Sequence, residues 1–332
     1  MVIIFPSKPS IIASSTVVGP TEQKSNFVSY FDVILNDDYA NQKTHEKAQH
    51  EMISEACNLL LQKEKLERLS IDYFLSGDLI NQMTPTNLAA KEIAAAFIGL
   101  FSACASSISS VIVAALLTEL KASKFAIAGA SSHHNATEKQ FRYPVLYGSQ
   151  KPATAQWTVS ACGYCIVSQH QKGKPSIVAG TVGKVVDFNY TDPFHMGGAM
   201  APAAHDTIVR HLKKRNQTVA DYDVIMTGDL GKIGLQILKN TLSIEMKQND
   251  LPMLRDAGAE FYGDDSFFQA GASGAGCSAS VFFSYILDQF ATGRYKRVLL
   301  VATGALLSPL SYQQGESIPC IAHAVEINIE EA

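Results

Sequence analysis

Asp72-Tyr-Phe-Leu-Ser-Gly-Asp-Leu79 returns, 151 positions further on, as Asp223-Val-Ile-Met-Thr-Gly-Asp-Leu230. Both are strand-like runs closed by Gly-Asp. Each follows a helical stretch: Thr44 to Leu66, with apolar positions at Ala48, Met52, Ala56, Leu59 and Leu60, and Ala204 to Lys214. A second pair lies downstream. Ser102-Ala-Cys-Ala-Ser-Ser107 opens a helix that leads to Phe125-Ala-Ile-Ala-Gly-Ala-Ser131. Ala275-Gly-Cys-Ser-Ala-Ser280 opens another, leading to Val298-Leu-Leu-Val-Ala-Thr-Gly-Ala305. Cys277 stands 173 positions after Cys104, and Gly304 stands 175 after Gly129. Two matches in the same order predict an α/β fold of two duplicated halves, each strand–helix–strand–helix–strand. The polar turn Lys172-Gly-Lys-Pro175 divides them into residues 1–172 and 173–332.

Composition narrows the function classes. The 332 residues carry 27 Lys and Arg against 31 Asp and Glu, a net charge of −4, with 17% charged and 47% hydrophobic residues. Nucleic-acid binding needs a basic surface and disorder needs low hydrophobicity, so both are excluded, leaving a soluble globular protein. The six cysteines are too sparse and too deep in apolar runs for a secreted disulfide framework. Met1-Val-Ile-Ile-Phe-Pro6 lacks a basic leader segment, so no signal peptide is read. Ile93 to Thr118 holds no charge, but its serines argue against a transmembrane span and for a buried strand turning into a buried helix. Ser131 to Thr158, rich in Gly, Pro, His and Tyr, reads as a loop that covers something.

Cys104, at a strand-to-helix turn, is the first chemical candidate, because a helix N-terminus favours a thiolate; the bland alternative is a small buried hydrophobe. Asp78 and Asp229 end repeat-related strands, and a pseudo-twofold would bring both to one cleft, although an Asp after Gly commonly caps a helix or turn. Cys162-Gly-Tyr-Cys165 has metal or redox spacing but stands alone, and strand residues three apart face opposite ways. Gly271 to Gly276 lacks the Lys-Ser/Thr of a phosphate loop and reads as a tightly packed turn. The other histidines at positions 45, 50, 170, 195, 205 and 211 are surface or packing residues.

The duplicated half with a cysteine at its strand-to-helix turn resembles the thiolase-like superfamily. A finer resemblance, to its stage V sporulation protein AD family, is carried by blocks from about Gly19 to His323. They include Gly77-Asp-Leu79, Ser131-Ser-His133, Gln140-Phe-Arg-Tyr-Pro144, Gln150-Lys-Pro152, Thr191-Asp-Pro-Phe194, Thr227-Gly-Asp-Leu230 and Ala302-Thr-Gly-Ala-Leu-Leu-Ser-Pro309. The resemblance implies a layered αβαβα architecture and a non-catalytic role. It implies binding of dipicolinic acid for spore uptake and release, with association to the spore inner membrane through membrane-embedded stage V partners. No resident cofactor is implied; homodimerisation through the first half is.

In acyl-transferring thiolase relatives the cysteine attacks a thioester, helped by a His with a second His or Asn from the second half. This sequence has Asp229 where the imidazole is expected and small residues where the Asn is expected. A carboxylate beside a thiol raises its pKa, which opposes nucleophilic catalysis. The rival reading is an acyl-transferring enzyme with Cys104 as nucleophile and His133, His134 or His323 as base. For the binding reading the candidate ligand residues are Cys104, Asp78, Asp229, His133, His134, His323 and Arg142. The two acids favour the Ca²⁺ chelate of dipicolinate, with a calcium contact through Asp78 and Asp229. One of His133 and His134 is expected in the cleft. His323, between apolar neighbours, reads alone as a core histidine, and the resemblance brings the C-terminal loop toward the cysteine. Arg142 is a bidentate carboxylate ligand or a pin for the covering loop.

Overall fold

The computed structural model describes residues 1–140, 151–248 and 250–330. The first part of the chain forms β1 (Val2–Ile4), β2 (Ser10–Val18), β3 (Val33–Ile34), α1 (His45–Glu64), β4 (Tyr73–Gly77), α2 (Thr84–Ile93), β5 (Ala96–Gly99), α3 (Ser106–Glu119), β6 (Phe125–Ser132), α4 (His134–Glu138), β7 (Trp157–Thr158) and β8 (Ala161–Ser168). The second part forms β9 (Ser176–Thr181), α5 (Met196–Arg215), β10 (Val224–Thr227), α6 (Gly231–Met246), β11 (Leu254–Asp256), α7 (Ala257–Phe261), β12 (Ala272–Ser273), α8 (Ala275–Val281), α9 (Leu287–Ala291), β13 (Arg297–Ala305), α10 (Pro309–Gln313) and β14 (Cys320–Asn328). A π-helical stretch, Phe282–Ile286, makes α8 and α9 one continuous rod.

Five strands of each part share one plan. The orders are β5-β4-β6-β8-β2 and β11-β10-β13-β14-β9, that is, third, second, fourth, fifth, first in each. The sheets join where the two first strands touch, at Ser10 and Ser176, whose hydroxyls lie 3.1 Å apart, and β1 crosses to pair with β9. The duplication extends to side chains. Asp72 accepts from the backbone N–H groups of Lys124 and Phe125, and Asp223, 151 residues later, accepts from those of Lys296 and Arg297. Each carboxylate pins the start of the neighbouring strand.

Burial patterning sets the layers. One apolar cluster packs α1 and α2 on the outer face of the first sheet, through Met52, Leu60 and Phe74. Another packs α5 and α6 on the outer face of the second, through Ile208, Leu212 and Leu238. Between the sheets, α3 and the α8–α9 rod bury Ile108, Val111, Phe282 and Ile286. This is helix, sheet, helix, sheet, helix. The middle helices are joined by hydroxyls, Ser107 to Ser278 at 2.8 Å, so each helix start faces the other half.

Several expectations shift. The uncharged stretch 93–118 does yield β5 and α3, but β5 is an exposed sheet edge with Phe97 at 37% exposure, because among the described residues β4 alone pairs with it. The second-half helix starts at Met196 and not Ala204; Gly197, Gly198 and Pro202 lie inside it. Gly304 is not the counterpart of Gly129: in register Ser76 faces Gly129 and Thr227 faces Val301, so β13 carries Gly304 three residues beyond. The covering segment 131–158 is partly regular, with α4 after β6 and β7 paired to β12. Cys162 packs outside the first sheet and Cys165 in the middle layer, on opposite faces as the spacing requires. Among the described residues no helix is long and apolar enough to cross a membrane.

Candidate functional site

Cys104 sits in a tight elbow two residues before α3. Ala103 takes a left-handed backbone, φ 49°, and the Ser106 hydroxyl bridges the elbow, accepting from Ser102 N–H and donating to Ala103 C=O. From the other half, Gly304 presses against this elbow: a Cβ there would lie 2.3 Å from the Ser102 carbonyl oxygen. Glycine at the end of β13 lets the two halves close around the cysteine.

Behind the thiol stands Asp229. Its Oδ1 accepts from Thr303 at 2.8 Å, and its Oδ2 accepts from Ser273 Oγ at 3.1 Å and Gly274 N–H at 3.0 Å. The charge of this carboxylate bears on the neighbouring Cys104 thiol. Gly274 offers its N–H from φ 106°, a conformation in which an added Cβ would press on Ser132 Oγ. Two carboxylate oxygens can receive about four hydrogen bonds, and donors of its own protein already supply three of them. Burial pushes the Cys104 thiol well above the ordinary range, and the Asp229 charge pushes the same way. Gly274 and Ser273 pull the thiol down without offsetting them. Burial also raises Asp229, with the Thr303, Gly274 and Ser273 hydrogen bonds opposing.

Asp78 does different work. Its Oδ1 accepts from Ile80 N–H and its Oδ2 from Thr86 N–H and Oγ1, so the carboxylate closes its own turn; burial raises its pKa to about 6. Among the described residues no three His, Cys, Asp or Glu side chains gather as a metal-ligand set. His133 bonds the Asp38 carbonyl at 2.8 Å, and His134 bonds the Thr158 carbonyl at 2.9 Å while stacking on Trp157 at 3.8 Å. His323 accepts from Gly183 N–H through Nδ1 and therefore donates from Nε2 to Ser102 Oγ, 3.2 Å away. Burial lowers its pKa to about 4. It braces the residue two before the cysteine and forms no hydrogen bond to Cys104 among the described residues. Arg142 lies outside the described residues.

Above Cys104 opens a cavity of about 540 Å³, within the range of small-molecule sites. Cys104 and Ser273 lie on its floor, Leu79 to Met83 and Met200 on its walls, and Phe101, Phe194 and Tyr312 near its mouth. Of the residues anticipated from sequence, Cys104 lines it; Asp229 lies behind it, hydrogen-bonded to Ser273 of the lining. Residues not anticipated complete it. Lys151 and Glu138 line one side, their charged atoms 3.7 Å apart. Asp256 accepts from Thr227 Oγ1 and from Leu230, Gly231 and Ala259 N–H, fixing the turn that carries Asp229. Lys151 stood within the Gln150-Lys-Pro152 block, but a single lysine in a loop does not declare where it points.

Comparison with known proteins gives the fold and family. A family model described as Stage V sporulation protein AD (SpoVAD) matches residues 1–328. The Stage V sporulation protein AD of Bacillus subtilis (strain 168) is 43% identical over 325 residues, covering 97% of this chain and 95% of that protein. Among solved structures, a point variant of Xanthomonas campestris OleA superposes with a TM-score of 0.63 at 11% identity, over 98% of this chain and 99% of that one. 3-Oxoacyl-(acyl carrier protein) synthase III from Xanthomonas oryzae pv. oryzae gives 0.62 at 11% identity, over 98% and 100%. Human mitochondrial 3-ketoacyl-CoA thiolase gives 0.58 at 11% identity, over 99% and 100%. At such identities the structures speak for the fold, which is thiolase-like, while the sequence match speaks for the family. The chain belongs to the stage V sporulation protein AD family.

Proposed function

We propose that this sporulation protein binds dipicolinate in the cavity above Cys104 and carries out no chemistry on it. The observation that carries the reading is the Cys104–Asp229 pair. A thiolase-type reaction needs a thiolate at that position and a group that accepts its proton. Here the neighbour is a carboxylate already held by three donors of its own protein, and both burial and charge hold the sulfur protonated. What supports the ligand class is family membership together with a cavity of small-molecule size that is apolar apart from a few polar groups. Asp78 and Asp229 spend their oxygens inside the protein, so calcium accompanying the ligand arrives as its chelate and is not ligated by these two acids.

The same proposal includes the assembly: a homodimer through the exposed edge of β5, and attachment at the spore inner membrane through stage V membrane proteins. The test is calorimetry with dipicolinate, with and without Ca²⁺, alongside mass spectrometry of Cys104 after exposure to acyl-coenzyme A. Saturable heat without an acyl adduct is the expected result. A stable acyl-Cys104 with no dipicolinate heat overturns the proposal in favour of acyl transfer.

A further inference from the structure

We infer that Lys151 is the anion anchor of the cavity and selects carboxylate-bearing aromatic ligands over neutral ones; this rests on the binding reading above. Lys151 is the single lysine or arginine among the described residues that line the cavity, and Glu138 is the single acid. Their placement is specific. The Lys151 ammonium lies 4.9 Å from the centroid of the Trp157 indole and 3.7 Å from Glu138 Oε1. Glu138 is held in turn by Thr158 Oγ1 at 3.1 Å, on the same oxygen.

The support behind this pair is rigid. Trp157 is in β7, whose pairing with Ala272–Ser273 ties it to the cavity floor, and its backbone N–H donates to the Gly271 carbonyl. His134 stacks on the same indole with an interplanar angle of 9°. A lysine side chain that is 17% exposed and set against an aromatic face has already given up much of its rotamer freedom, so a ligand need not order it. An ammonium carries three N–H donors and can hold Glu138 and a ligand carboxylate together. Elsewhere the wall is largely apolar, where a charge-assisted hydrogen bond is worth more than in water. No other cationic side chain on the described wall distinguishes a carboxylate from its ester.

The test compares wild type, Lys151→Met and Lys151→Arg by calorimetry, with dipicolinate, isophthalate and the neutral dimethyl ester of dipicolinate as probes, after circular dichroism shows each protein folded. Lys151→Met is expected to weaken dipicolinate and isophthalate about tenfold or more, and to leave the ester within about threefold. Lys151→Arg, which keeps the charge, is expected to recover most of the loss and also serves if the Met variant does not fold. Dipicolinate binding by Lys151→Met within twofold of wild type overturns the anchor and leaves the binding proposal standing. Wild type that takes the ester as tightly as the diacid overturns the anchor too. Wild type that gives no heat with either diacid overturns both.

Discussion

Cys104 and Asp229, from repeat-related halves, stand close enough for the carboxylate charge to hold the thiol protonated, and Thr303, Ser273 and Gly274 donate to that acid. Reversing the proton flow would require Asp229 to take the thiol proton, leaving a buried thiolate beside a carboxyl group in a low-dielectric pocket. Asp229 is better employed as the keystone of the floor, since its three donors come from the turn before α8 and from β13.

The close approach of the halves is tested at Gly304. A Cβ at this position would overlap the Ser102 carbonyl oxygen at 2.3 Å and crowd Ala105 N–H. Gly304→Ala is expected to destabilise the protein by about 2 kcal/mol or more, the cost of overpacking a rigid site. Urea unfolding with an unchanged m-value measures it. A loss below about 0.5 kcal/mol would mean the elbow moves freely.

Acid stability is tested at Glu326. It is fully buried on β14, where burial pushes its pKa up but hydrogen bonds from His211, Arg215 and Gln217 override this and bring it down to about 2 from an ordinary value of 4.5. A depressed folded-state pKa gives stability that is present above about 4.5 and lost as pH falls toward 2, up to roughly 3 kcal/mol for a shift of this size. Glu326→Gln is expected to be less stable than wild type at pH 7, with the gap closing below about pH 3. A gap independent of pH contradicts the assignment.

Much of this was legible in the sequence, and the reasons differ by residue. The Gly-Asp repeats located both strands, and the Ser102–Ser107 and Ala275–Ser280 pair located the cysteine elbow, because duplicated local chemistry survives as duplicated letters. Asp229 was found as the group replacing an imidazole because a strand end fixes its neighbour. Asp78, its repeat mate, has the same letters and spends its carboxylate on its own turn, an outcome set by Thr86 eight residues away. Lys151 and Glu138 could not be placed, because their position depends on β7 pairing with a strand more than a hundred residues later. The exposure of β5 was likewise hidden: an apolar strand reads the same at a sheet's centre and at its edge.

The edge itself gives a prediction. β5 presents Phe97 at 37% exposure and among the described residues pairs with β4 alone, an arrangement that invites a second chain. Under the proposed dimer, Phe97→Lys is expected to shift the protein to monomer in sedimentation velocity, with the secondary structure kept. A wild-type monomer at every concentration contradicts the proposed assembly.

The protonation of Cys104 is the claim most open to direct measurement. Iodoacetamide labelling of the Cys104 peptide, followed by mass spectrometry against pH, is expected to reach half its maximal rate well above the free-cysteine value of about 8.5. Asp229→Asn is expected to move that midpoint down and speed labelling at about pH 8. Wild-type labelling already maximal below about pH 7, unchanged by Asp229→Asn, would show a thiolate held for reaction and contradict the receptor account.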